Sequence, residues 1–246
     1  MTQDYLDLAV LESRYWTKGN DSVKPAFDLL ANVHQGNPNS YHYEMFNDKT
    51  SLQEVLPRIA ASSRIHHVYV ASHGWRKGIV GSDGGTISIT VISNLLEKIS
   101  ERKLYGIYFG SCLFGDQTVR LLEATNLTWL AGYTTSVDWM SSVLLDLFFW
   151  DAYYWSNIVQ AENKSKRADS MLEFLFTLFR RVPHLFEEMG LRVSVKYKRS
   201  IVTFPDDVFQ DGCWESTKEF RKLDQRAEDA IYKNIRKEKP FWWRKS

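Results

Sequence analysis

The chain has 246 residues, 44% of them hydrophobic and 25% charged, with a formal net charge of +1. That is a globular composition, long enough for one large domain or two small ones and for a core that needs no disulfides. Its two cysteines, Cys112 and Cys213, exclude a disulfide framework and a CxxC pair, so a reducing cytoplasm is the expected compartment. The opening MTQDYLDLAV has no basic stretch followed by an apolar one, which argues against a signal peptide. The most apolar run, WMSSVLLDLFFWDAYYW, is broken by Asp146 and Asp151 and falls short of a membrane span.

No internal repeat or low-complexity block interrupts the chain. YLDLAVLES (5–13) predicts a first strand. A helix over 22–34 follows, with Ser22 as its N-cap and Val23, Phe27, Leu30 and Val33 on one side. The turn residues QGNPNS close it, and YHYEMF (41–46) alternates as a second strand. Ser51 is placed to cap a helix through LQEVLPRIAAS, in which Pro57 is awkward unless the helix is kinked.

IHHVYVAS (65–72) is the third strand, and KGIVGSDGGTISI has the glycines and short apolar pairs of a hairpin. VISNLLEKISE predicts a helix, YGIYFGS a fourth strand, GDQTVRLLEAT a helix and LTWLAGYT (127–134) a fifth strand. A long helix over 137–155 and another over 168–190, punctuated by Pro183, precede two late strands, LRVSVKY and SIVTF. Strands alternating with helices predict an α/β fold: a doubly wound, mostly parallel sheet with helices on both faces. A domain over residues 1–205 is expected, with a charged, aromatic C-terminal extension over 206–246.

In such sheets the chemistry sits beyond the carboxyl ends of the strands. His73 lies just past the third strand and Cys112 just past the fourth, and one helical crossover makes those strands neighbours. A histidine and a thiol one strand spacing apart supply a general base and a nucleophile, because the thiolate is the reactive form and a nearby imidazole favours it. The helix expected straight after Cys112 would add its N-terminal field. Gly74, with no side chain, lets a substrate carbonyl approach its N–H, and with the Cys112 N–H it would form an oxyanion hole. Taken singly, a buried cysteine or a histidine at a strand end is more often structural; the joint placement at consecutive strand ends is what favours chemistry.

A strand ending in His-Gly followed by a strand ending in a small residue and Cys resembles the caspase-haemoglobinase fold of cysteine peptidases. VYVASHGWRKGIVGSDG, IYFGSC and AGYTTSVDWMSSVLLDLFF, in that order, resemble bacterial caspase-like or CHAT-type proteins over residues 5–155, and more loosely to about 205. The resemblance implies a peptidase with His73 as base, Cys112 as nucleophile and Gly74 with Cys112 as oxyanion donors. It further implies a regulated bacterial effector in defence or stress signalling. The QACxG signature is replaced by GSCLFG, and no processing loop separates a large from a small subunit, so aspartate specificity does not carry over. In several relatives an acidic residue near the fifth strand binds a basic P1 side chain, which points to Asp138; the competing reading, that Asp138 caps the long helix, is favoured.

The remaining candidates read as structural. His66 and His67 have no partners at zinc-like spacing, and GSDGG lacks both GxGxxG and a Walker lysine, so neither metal nor nucleotide is expected as cofactor. Asp83 reads as a turn residue and Cys213 as a bystander. The helix over 137–155 is apolar nearly all round, which suits burial first and a partner interface second. The tail from Lys233 to Ser246 carries six basic residues with Phe241, Trp242 and Trp243 and could contact nucleic acid, an anionic membrane or a partner protein, although a solvated terminus is the commoner outcome. Two functions compete: a cysteine endopeptidase acting on protein substrates, and a catalytically silent caspase-like interaction module within a larger complex.

Overall fold

The computed structural model describes residues 5–14, 16, 21–99, 103–156, 164–209, 222, 225 and 226. Chain order gives β1 (Leu8–Ser13), α1 (Lys24–Gln35), β2 (His42–Phe46), α2 (Lys49–Ala60), β3 (His67–Ala71) and the short strands β4 (Gly74–Trp75), β5 (Gly78–Val80) and β6 (Thr86–Ser88). There follow α3 (Ile89–Ile99), β7 (Gly106–Gly110), a single 3₁₀ turn at Gly115–Gln117, α4 (Thr118–Glu123), β8 (Trp129–Tyr133) and α5 (Trp139–Trp155). α6 (Lys164–Arg181), α7 (His184–Glu187), β9 (Leu191–Tyr197), β10 (Ser200–Phe204) and α8 (Asp206–Phe209) come next.

Among the described residues, seven strands form one sheet in the order β10-β9-β8-β7-β3-β1-β2, and β4, β5 and β6 form a separate three-stranded sheet. The five strands from β2 to β8 run parallel, β9 pairs antiparallel with β8, and β10 pairs antiparallel with β9. Every residue of β1, β3 and β8 is buried, as expected of strands covered on both faces. Alternate residues feed two cores. Val10, Tyr69, Tyr108 and Trp129 pack with α1, α5 and α6; Val68, Val70, Ile107 and Phe109 pack with α2, α3 and α4. The fold is the mostly parallel α/β sheet with helices on both faces that the alternation of elements predicts.

Several local expectations shift. Val23, not Ser22, is the N-cap of α1, with no side-chain cap bond; the Ser22 hydroxyl is drawn to the buried Glu12 carboxylate at 2.7 Å. Val33 is 57% exposed instead of sharing the buried side with Phe27 and Leu30, because three-residue steps drift round a helix of 3.6 residues per turn. Asp48, not Ser51, caps α2. Ser51 is the reciprocal partner: its N–H donates to Asp48 Oδ1 at 2.7 Å, and its Oγ accepts from the Asp48 N–H at 3.0 Å. The helix expected over 168–190 is two, α6 and α7, separated at Pro183. Val208 is fully buried in the core that also contains Phe204 of β10.

At the lower, amino-terminal end of the sheet, His66 and His67 have the structural roles expected of them. His66 Nδ1 pairs with Asp7 Oδ2 at 3.1 Å, and His67 Nε2 meets Tyr153 Oη at 3.0 Å. Burial pushes His67 down to about 4, leaving its imidazole neutral at physiological pH. Burial alone would disfavour the Asp7 carboxylate, yet the two imidazoles and the Tyr154 hydroxyl hold it below the usual range.

Candidate active site

β3 and β7 pair in parallel with Ala71 opposite Gly110, so His73 and Cys112 each lie two residues beyond the end of one of two adjacent strands. Both positions keep the parity of Tyr69, Ala71 and Tyr108, the face covered by α5. One residue below, the buried hydroxyls of Ser72 and Ser111 are 3.0 Å apart, a cross-strand bond that ties the two strand ends together. The sequence carried a signal for it, since a serine precedes both His73 and Cys112. His73 is exposed and Cys112 half-buried, which suits groups that must meet a substrate.

Gly74 packs directly on the Cys112 turn. A Cβ placed there would lie 2.5 Å from the Cys112 carbonyl oxygen, 2.6 Å from Ser111 Cβ and 3.0 Å from the Cys112 nitrogen. Only a glycine lets the two chain segments approach so closely. Val80 N–H donates to the His73 carbonyl at 2.9 Å, which makes Gly74–Ile79 a non-hydrogen-bonded pair of the β4–β5 ladder. The Gly74 N–H therefore lies outside that ladder. Val80 is in turn held by Ser13, whose Oγ donates to its carbonyl at 3.0 Å, so the end of β1 braces the hairpin that carries His73. Asp83 is a turn residue, its Oδ1 accepting from the Gly85 N–H at 2.8 Å.

Beyond Cys112 the chain makes a sharp turn through Leu113, a non-glycine residue with φ of +58°. Leu113 N–H donates to the Thr135 carbonyl at 3.2 Å, so the turn is pinned to the loop that follows β8. The sulfur is bracketed by the main chain of Val137: Sγ lies 3.6 Å from its carbonyl oxygen, and its N–H donates to Sγ at 3.4 Å. The helix expected straight after Cys112 starts only at Thr118 and has six residues, because a 3₁₀ turn intervenes. The helix head next to the sulfur belongs to α5, seventeen residues long and preceded directly by the Val137–Asp138 corner. Neither Leu113 nor Val137 was legible as a site residue, because each contributes through its backbone.

Asp138 is the N-cap of α5, with Oδ1 accepting from the Ser141 N–H at 3.0 Å; hydrogen bonds from Ser141 hold the exposed carboxyl below its ordinary range. Below the site, α5 sends the fully buried Asp146 into the sheet. Tyr133 donates to its Oδ1 at 2.6 Å, Tyr69 donates to its Oδ2, and Tyr108 donates to Tyr133 at 3.0 Å. Tyr69, Tyr108 and Tyr133 stand four residues before His73, Cys112 and Val137, so one carboxyl connects the three segments that build the site. Burial raises Asp146 to about 6, against the pull of those hydroxyls.

Among the described residues no cluster of three His, Cys, Asp or Glu side chains could hold a metal ion, and no helix is long and apolar enough to cross a membrane. Cys213 and the basic tail lie outside the described residues.

No protein-family model and no curated protein matches the chain. Solved structures similar to it include a secreted C11 cysteine protease from Bacteroides thetaiotaomicron in complex with an irreversible peptide inhibitor. The identity is 12% over 78% of this chain, with a TM-score of 0.41, and the chain spans 66% of that protein's length. Another is a structure of the secreted C11 cysteine protease iotapain from the same organism, at 10% identity over 75% of this chain and 74% of that one, with a TM-score of 0.39.

Proposed function

We propose that the chain is a cysteine endopeptidase of the bacterial caspase-like or CHAT-type group, working through a Cys112–His73 dyad. The observation that supports the reading is the pairing of the two strand ends: β3 and β7 are neighbours through Ala71 and Gly110, two residues before His73 and Cys112, and the Ser72 and Ser111 hydroxyls bond across them. In the reaction, His73 accepts the Cys112 proton and the sulfur attacks a peptide carbonyl. The new C–S bond leaves a tetrahedral oxyanion, which the N–H groups of Gly74 and Cys112 receive. The intermediate collapses, the C–N bond breaks, and His73 returns the proton to the departing amine. Water, deprotonated by His73, then cleaves the thioester and restores the thiol.

Asp138 retains its capping role and offers its second carboxylate oxygen to an Arg or Lys at P1. A reducing, cytoplasmic setting would keep the thiol free, and the family resemblance favours a regulated role in defence or stress. The direct test is a peptide-library cleavage profile with Cys112→Ala as the control: cleavage by the wild-type chain alone supports the reading, and equal profiles end it.

A second reading, a silent interaction module, is favoured by one observation. Met140, Leu144, Phe148 and Trp155 are exposed on α5 at near-helical spacing, although its other side is buried on α1 and α6. Iodoacetamide separates the two readings. Selective labelling of Cys112 at neutral pH, slowed by His73→Ala, belongs to the peptidase; equal labelling of Cys112 and Cys213, unchanged in the variant, belongs to the module.

A further inference from the structure

Val137 offers no side-chain chemistry, yet its main chain touches the reacting atom on two sides. Its carbonyl oxygen is 3.6 Å from Cys112 Sγ and its nitrogen 3.4 Å, both within the range of hydrogen bonds to sulfur. The segment is immobilised from both directions. Thr134 N–H donates to the Gly190 carbonyl at 2.8 Å, and Thr134 Oγ1 donates to the same oxygen at 3.0 Å. Thr135 Oγ1 donates to the Met189 carbonyl at 2.7 Å, and the Thr135 carbonyl accepts from Leu113. On the other side Asp138 starts α5, its side chain and carbonyl occupied by the N–H groups of Ser141 and Ser142. The Val137 N–H is outside that capping pattern, and the sulfur is its acceptor.

We propose that Val137 is the positioning residue for the nucleophile: its carbonyl accepts the S–H of the resting thiol, and its N–H donates to the thiolate once His73 has taken the proton. The inference rests on the peptidase reading for its purpose, but its geometry stands on the main chain alone. In the thiol state the S–H is directed at the Val137 carbonyl. When the proton moves to the imidazole, that donor is gone, the carbonyl ceases to attract the sulfur, and the N–H becomes its stronger partner because the acceptor is now charged. No bond other than S–H is broken and no co-reactant is needed. The head of α5 adds a field of the same sign. A preorganised donor of this kind needs no rearrangement at the moment of ionisation. Tyr133 on β8 is the titratable group in electrostatic contact with the sulfur, and the adjoining segments carry His73 after β3, Asp138 at the head of α5 and Asp116 in the 3₁₀ turn.

The test uses the full chain and reads the sulfur, not turnover. The rate of Cys112 alkylation by iodoacetamide is followed from pH 5 to 10 in wild type, Val137→Pro, which removes the N–H and keeps the carbonyl, and Val137→Ile, which keeps both. With circular dichroism confirming the fold, Val137→Pro should raise the ionisation midpoint by about one to two pH units, as expected for loss of one hydrogen bond to a charged group. Val137→Ile should match wild type. In the wild-type chain labelled with ¹⁵N-valine, the Val137 amide proton should move downfield with the midpoint seen by alkylation, and this titration should vanish in Cys112→Ser. That measurement decides the matter if Val137→Pro does not fold. A folded Val137→Pro with an unchanged midpoint, or an amide that ignores the sulfur's ionisation, overturns the proposal. Failure of the peptidase reading looks different: the amide follows the sulfur, while peptides and peptidyl electrophiles are left untouched.

Discussion

Replacing Gly74 with alanine tests whether the close approach of the hairpin and the Cys112 turn sets the reaction geometry. The new methyl carbon would sit 2.5 Å from the Cys112 carbonyl oxygen, about 0.9 Å short of the 3.4 Å at which ordinary contact begins. It would also sit 2.6 Å from Ser111 Cβ, so no swing of a flexible side chain relieves the clash. The turn and the hairpin must part by on the order of 1 Å, which in overpacked sites costs roughly 1–3 kcal/mol of stability. A shift of that size at a reacting centre lowers turnover by about 100-fold. The assay compares peptide cleavage and Cys112 labelling by a peptidyl electrophile in wild type and Gly74→Ala, with urea unfolding as the stability measure. Cleavage should fall by about two orders of magnitude while the variant remains folded at 25 °C. A folded variant with wild-type cleavage would show that Gly74 does not set the geometry.

Three further outcomes follow from the packing. Ser72→Ala or Ser111→Ala leaves one buried hydroxyl without its partner and should cost about 1–3 kcal/mol in urea unfolding, whereas the double variant should recover part of that loss; strictly additive losses would mean that the hydroxyls do not pair. Asp146→Asn removes a carboxyl whose folded-state value is raised from 3.8 to about 6, a displacement worth on the order of 3 kcal/mol. The raised value means that the native state binds the proton more tightly, so this contribution is full below 3.8 and is lost as pH rises through about 6. Wild type should therefore lose stability relative to Asp146→Asn across that window, and parallel stability curves would contradict the burial argument. Asp138→Asn preserves the cap, so unfolding should change by less than about 0.5 kcal/mol while preference for Arg or Lys at P1 falls about tenfold or more; an unaltered preference would leave Asp138 a helix cap only.

The sheet was legible because its strands are short, apolar and bounded by turn residues, so period and punctuation agree at β1, β3, β7 and β8. The order of β3 and β7 followed from one helical crossover, and the two strands pair up to Ala71 and Gly110, two residues before His73 and Cys112. What escaped sequence reasoning is mostly main chain or boundary. At α1 the Ser22 hydroxyl was diverted to a buried Glu12 that local pattern does not reveal, and at α2 Asp48 and Ser51 are both capping types that share a reciprocal pair of bonds. The role of Leu113 lies in a positive φ, and that of Val137 in its N–H and carbonyl; neither depends on residue type. Asp146 looked like an interruption of an apolar helix. Only the strand register, which stacks Tyr69 beside Tyr108 and brings Tyr133 within reach, explains how a carboxyl is tolerated there.

The most direct measurement is the second-order rate of Cys112 modification by a peptidyl electrophile at pH 7, in wild type and His73→Ala. A dyad predicts rapid labelling of Cys112 in wild type and a loss of at least about 100-fold in the variant, as expected when a general base is removed. Equal rates in the two proteins would contradict the pairing of imidazole and thiol.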